Sequence, residues 1–135
     1  MVTINETKAL IKDKLKAEIP ELSIEFAPDD PSNYKVKHPK GSVLIAYNGS
    51  SFSEPVGIQQ TAVMNIEIVL CLRPEYNNKQ GNECIDLVRS ALTSDNFRIR
   101  GFRMWCSNIS VDGEDGGIWY YTLGFVLPYT MYHGD

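Results

Sequence analysis

Apolar residues recur every three or four positions at the start of the chain and at every second position soon after it. Ile4, Ile11, Leu15 and Ile19, with Leu10 beside them, fall on one face of a helix written in "TINETKALIKDKLKAEIP". Thr3 and Glu6 stand at capping-box spacing, so both side chains are placed to meet free amides of the first turn. Pro20 has no N–H for a continuing helix and ends it. Lys8, Lys12, Asp13, Lys16 and Glu18 occupy the polar face. Their mixed signs fit a helix lying on a sheet better than one lying on a membrane surface.

The period then changes to two. "LSIEFA" places Leu22, Ile24 and Phe26 on one face of a strand. "PDDPSNYKVKHPKG" is rich in proline and polar residues and reads as a loop. "SVLIAY" is apolar almost throughout, as for a short strand covered on both faces, and "NGSSFSEPVG" reads as a loop carrying Phe52. In "IQQTAVMNIEIVLCLR" the residues Gln60, Ala62, Met64, Ile66, Ile68, Leu70 and Leu72 share one face, which predicts a core strand. The other face begins polar and turns apolar from Val69, so something covers its far half. At ~3.3 Å per residue this strand exceeds about 40 Å, long for so small a domain.

"RPEYNNKQGN" reads as a turn-rich loop, and "NECIDLVRSALTSD" as a second amphipathic helix with Asn82 as its cap. "GFRMWCSNISV" and "GIWYYTLGFVLPY" are strands of a hairpin whose tip is "DGEDGG". The order is helix, three strands, helix, two strands. It predicts an α+β fold, two helices packed on one face of a mainly antiparallel sheet of about five strands. The 135 residues, 1–135, are expected to form a single domain.

Composition narrows the function. Charged residues make up 22% and hydrophobic residues 43%, which fits a folded domain rather than a disordered one. The net charge of −4 argues against nucleic acid as a main partner, which needs a basic footprint. Arg98, Arg100 and Arg103, interleaved with Phe97 and Phe102, form a local basic stretch, more simply a solvated start to a strand. Cys71, Cys84 and Cys106 are odd in number and far apart, so a reducing compartment is expected, with each thiol a small buried hydrophobe. No apolar run has the length of a membrane span or the form of a signal peptide, and synthesis in a cytoplasm is expected.

Catalytic chemistry is hard to find. His38 and His133 are isolated histidines in polar segments. Cys84 lies between Glu83 and Ile85 with Asp86 beyond, and acids raise a thiol pKa rather than lower it. "GEDGG" leads into a strand, not a helix, so it is no phosphate cradle. Asp112, Glu114 and Asp115 lack the spacing of a calcium loop. No catalytic, cofactor or metal residue is assigned. What stands out is surface: the long strand, and a last strand with Trp119, Tyr120, Tyr121 and Phe125 on both of its faces.

"SVLIAYNGSS", the glutamine-led "GIQQTAVMNIEIVLCLR", the "IDLVRSAL" helix and the ending "DGGIWYYTLGFVLPY" follow one another in the order of a known family. Over nearly the whole chain the pattern resembles small Mu-like phage proteins of unknown function encoded among tail-assembly genes. One departure is "HPKGSV", where a leucine-proline-alanine lead is expected. Members of that family resemble tail terminator (tail completion) proteins in fold. The resemblance implies a structural protein, not an enzyme, without cofactors. It implies a ring, commonly of six subunits, that caps a tail tube, ends its polymerisation and helps join the head. Partners would be further copies of the chain, the tail tube protein and a head–tail connector protein, with the virion tail as its place. Neither a membrane nor specific nucleic acid is expected.

A ring uses two different surfaces per subunit, and aromatic residues are favoured at interface centres. Phe52, Val56, Tyr76 and Tyr120 are the expected interface residues, from loops or the outer face of the last strand. Two other readings stay open. Tyr120 packs on a loop and the sheet is covered on both faces within one chain. Alternatively, Trp105, Trp119 and Tyr121 line a pocket for a small ligand or substrate.

Overall fold

The long strand is the middle of the molecule. In the computed structural model, which describes residues 1–28, 34–36 and 38–133 and omits the side chains of 75–80, two helices and five strands follow the chain. They are α1 (Ile4–Glu18), β1 (Ser23–Phe26), β2 (Gly41–Phe52), β3 (Gln59–Leu72), α2 (Pro74–Thr93), β4 (Trp105–Asp115) and β5 (Ile118–Tyr132). The sheet order is β1-β2-β3-β5-β4. All neighbours are antiparallel except β1 and β2, which run parallel.

Both helices lie on one face. α1 covers β1 and β2, and α2 covers β3, β5 and β4. Thr3 caps α1, its hydroxyl oxygen accepting from the Glu6 amide at 3.1 Å. Ile11, Leu15 and Ile19 are buried, whereas Ile4 at the first turn is exposed. The alternation read in β3 holds along its length. Ala62, Met64, Ile66, Ile68, Leu70 and Leu72 are buried beneath the helices with Leu123, Phe125 and Leu127 of β5.

Several boundaries differ from the sequence reading. α2 begins at Pro74, so 74–82 is helix rather than loop, and Asn82 is an interior residue, not a cap. Pro74 supplies a fixed φ where the missing N–H costs nothing. β2 runs on past Tyr47 to Phe52 through an irregularity between Tyr47 and Ser50, so half of the expected loop is strand. β4 starts at Trp105, and 101–104 belongs to the preceding turn, where Ile99 pairs with Phe102. β4 also runs on to Asp115, which shortens the hairpin tip to Gly116 and Gly117.

The cover over the far half of β3 comes from the chain before β2. Val36, Leu44 and Cys71 form a second small core on the outer face, with Ala27, Tyr34, Val69, Ile118 and Tyr120 packed against it. Arg73 fixes that segment by donating from Nη2 to the Val36 carbonyl at 2.8 Å and from Nε to the His38 carbonyl at 3.0 Å.

Gly41 is where β2 first meets β3. Its φ is +136°, and a Cβ there would lie 2.3 Å from the Cys71 carbonyl oxygen, a backbone atom. Gly41→Ala therefore combines an unfavourable dihedral with a backbone clash. It is expected to lower unfolding free energy by about 2 kcal/mol or more, read as a lower urea midpoint.

Candidate functional site

The helices do not reach the whole sheet. At the end formed by Gln59–Thr61 of β3, the close of β2 and the close of β5, burial gives way to exposure. There Phe52 is 55% exposed, Val56 81%, Ile58 60% and Tyr132 67%. The hairpin tip that carries Val56 and Ile58 is held firmly. Ser53 N donates to the Thr61 carbonyl at 2.9 Å, Thr61 N to Ser53 Oγ at 3.0 Å, and Val56 N to the Gln59 carbonyl at 2.7 Å. The end of β5 is tied to the same tip, as His133 N donates to the Ile58 carbonyl at 2.6 Å. Its Nε2 lies 2.7 Å from Gln60 Oε1. The result is an ordered platform at the sheet end whose exposed apolar side chains point to both sides, Phe52 to the helix face with Ala62, and Val56 and Tyr132 to the outer face with Gln59.

A second uncovered surface is the free edge strand β4. Trp105 is 52% exposed and Val111 68%, with Ile109 also exposed. The edge is irregular at two places, between Cys106 and Asn108 and between Val111 and Gly113. The first irregularity faces Gly124, where a Cβ would lie 2.2 Å from Asn108 Oδ1. The absence of a side chain on β5 is what lets β4 bulge there.

The four expected interface residues do not share one place. Phe52 and Val56 both stand on the exposed platform, Phe52 on a strand end rather than in a loop. Tyr120 is half-buried in the outer-face core under Tyr34 and Val36, the arrangement in which it packs on a loop. Tyr76 belongs to α2, but its side chain lies outside the described residues. Ile58, Tyr132, Ile109 and Val111 were not singled out from the sequence. Ile58, between Gly57 and two glutamines, carried a signal in its apolar isolation.

The three aromatic residues of the pocket reading are split by the sheet. Trp105 is level with Val126 on the outer face, whereas Trp119 and Tyr121 lie on the helix face. They cannot line one cavity. Two depressions among the described residues, of about 760 and 490 Å³, are lined by other residues, such as Tyr34 and His38 in one and Phe102 and Met131 in the other.

The basic stretch and the hairpin acids have structural partners. Arg100 pairs with Glu6 at 2.8 Å and Arg103 with Asp95 at 2.5 Å, while Arg98 donates to the Asp95 and Gly101 carbonyls. The basic stretch thus ties its loop to α1 and to the end of α2. Asp112 accepts from Ser110 and Thr122, and Glu114 accepts from the Gly117 amide at 2.6 Å. Among the described residues no three His, Cys, Asp or Glu side chains gather as metal ligands would. His38 accepts from the Lys40 amide. Cys71 and Cys84 are buried and Cys106 half-buried. Burial, with the charge of Glu25, pushes the Cys71 thiol up to about 11, and burial also raises Cys106. An activated nucleophile is shifted the other way. No helix of the described residues is long and apolar enough to cross a membrane.

These features define an α+β domain, one helix-covered sheet with an apolar platform at one end and a bare edge strand. The chain belongs to the phage-associated Gp37 protein family, whose pattern matches residues 11–131. No curated protein matches it. The fold is shared with a chain of the virion of a native gene transfer agent particle, at 14% identity and a TM-score of 0.62, over 90% of this chain and 92% of that one. A second solved chain aligns over 100% of this chain and 99% of its own, at 13% identity and a TM-score of 0.49.

Cys71 gives a pH test of the outer-face core. Its folded pKa is raised from 9.0 to about 11, so the unfolded thiol ionises first as pH rises. The stability this provides is full below about pH 9 and is lost as pH climbs toward 11. Tyr34, raised from 10.0 to about 12 by burial and by Glu25, acts in the same direction one unit higher. Thermal melts across this range are expected to show a falling midpoint, with a shallower fall in Cys71→Ala.

Proposed function

We propose that this chain is a structural protein of a phage or phage-like particle, acting as a tail terminator. Copies form a ring, six in the commonest arrangement of such rings, on the end of a tail tube. The ring ends tube polymerisation and offers the head connector a surface. The shared fold with a virion chain over nine-tenths of this chain carries the reading. Membership of the Gp37 family supports it. The reading calls for no catalytic residue; it calls for contact surfaces.

The platform of Phe52, Val56, Ile58 and Tyr132 is the surface assigned to the tube end. Its apolar side chains are exposed and its backbone is held by hydrogen bonds. A pre-ordered surface loses little freedom on docking, which favours affinity. Tyr120 and Tyr76 are given no part in it.

Two measurements test this. Light scattering over a wide concentration range, with and without tail tubes, is expected to show a mass of several subunits or tube-end binding. In the second, tubes grow in the presence of the protein and their lengths are read by electron microscopy. Wild type is expected to arrest growth. Phe52→Ser with Val56→Ser is expected to weaken capping by roughly tenfold or more while folding normally, because both side chains are solvent-exposed. Wild type that neither associates nor binds tube ends sinks the terminator reading, and double-variant capping equal to wild type removes the platform from it.

A further inference from the structure

The two edges of the sheet carry complementary surfaces on the same rungs. The pairings run Phe26 to Ile45, Ile68, Leu123 and Ile109, and Ile24 to Val43, Leu70, Tyr121 and Val111. Phe26 at one edge is thus level with Ile109 at the other, and all these side chains lie on the helix face. Phe26 is exposed, and the ammonium groups of Lys8 and Lys12 sit 4.8 and 4.7 Å from its ring centre. Lys16 extends their row by one helical turn. Among the described residues none of these three lysines has a carboxylate partner within 4.0 Å.

The β4 edge is the counterpart. Ile109 and Val111 are exposed on the helix face, and Glu114, level with Trp119, follows on the same face. From Met104 to Asp135 there is no Lys or Arg, so the β4–β5 hairpin offers only acids to a neighbour.

We propose that successive copies in the ring join head to tail through these edges. The Ile109–Val111–Glu114 edge of one copy packs on the Phe26 edge of the next, beneath Lys8, Lys12 and Lys16. The contact is heterologous, as a closed ring requires. Apolar side chains meet at its centre, and lysines meet the hairpin acids at its rim. The proposal rests on the ring reading and names its subunit contact.

The test uses full-length protein carrying Cys106→Ser. Phe26→Cys and Ile109→Cys are made separately and treated with a short bismaleimide at a concentration where wild type is oligomeric, on tube ends if it assembles only there. Neither variant alone is expected to cross-link, and the mixture is expected to give 26–109 dimers. The chain with both changes is expected to give a ladder. In parallel, Lys12→Glu with Lys16→Glu, and Glu114→Lys, are each expected to weaken self-association roughly tenfold, with mixing of the two proteins restoring it. Glu114 also holds the Gly117 amide, so a general loss of fold by Glu114→Lys is checked by its melting temperature, and the cross-link decides independently. An oligomeric wild type with 26–26 or 109–109 links, or with no 26–109 link, overturns the edge contact and leaves the ring reading intact. A wild type that stays monomeric even with tubes overturns both.

Discussion

The antiparallel pairing of β3 with β5 sets everything else in this molecule. It is unbroken from Gln59 against Tyr132 to Leu72 against Trp119. A strand's side chains alternate between faces, so a slip of one residue would move the whole apolar set to the opposite face. Here that set runs from Ala62 to Leu72 and from Tyr121 to Tyr129, and every odd position of β5 in that range is buried. With so many pairs agreeing, the register has no near competitor. The ladder also outruns its cover. Beneath two helices of 15 and 20 residues the ladder is buried as far as Ala62, and its other end at Gln59–Thr61 is exposed or half-exposed. The exposed platform therefore follows from strand length exceeding the area the helices protect.

How much of this could be read from sequence depended on one-sided burial. β3, β5 and α1 bury one face more fully than the other, and their periods of two and 3.6 were plain. The second half of β2, "NGSSF", is exposed or half-exposed on both faces, so no alternation was written there. The first turns of α2 are polar, and the signal that remained was Pro74, whose place at a helix start is equally a place in a loop. The parallel pairing of β1 with β2 was also out of reach, because period and composition do not encode the direction of a neighbour. The outer-face cover by Tyr34 and Val36 was sensed from Val69 and Cys71 but not identified. A polar, proline-rich segment gave no sign that two of its side chains are core.

The site was less legible than the fold, for a related reason. An interface residue in an isolated chain is an apolar side chain without local cover, and sequence shows the side chain but not the cover. Phe52 and Val56 looked exposed because their neighbours are polar, and they are. Tyr120 looked exposed because it alternates with core residues, yet a loop distant in sequence lies over it. Ile109 and Val111 looked like ordinary strand positions. Only the order β1-β2-β3-β5-β4 shows that their strand is an edge with nothing beyond it.

Edges of this kind carry a hazard, since bare strands recruit other strands. Each edge here is blunted. β1 is four residues long, and β4 is irregular at two places, which interrupts the regular row of amides and carbonyls a new strand would need. Indiscriminate strand addition is thereby disfavoured, while the side chains on the same edges stay available. A contact made through Phe26, the lysines above it, Ile109 and Val111 depends on shape and charge rather than on backbone pairing. It accepts a partner only where apolar groups and opposite charges coincide. For the ring contact proposed above, that division separates nonspecific strand addition from specific association. The backbone refuses nonspecific growth, and the side chains permit one geometry of association.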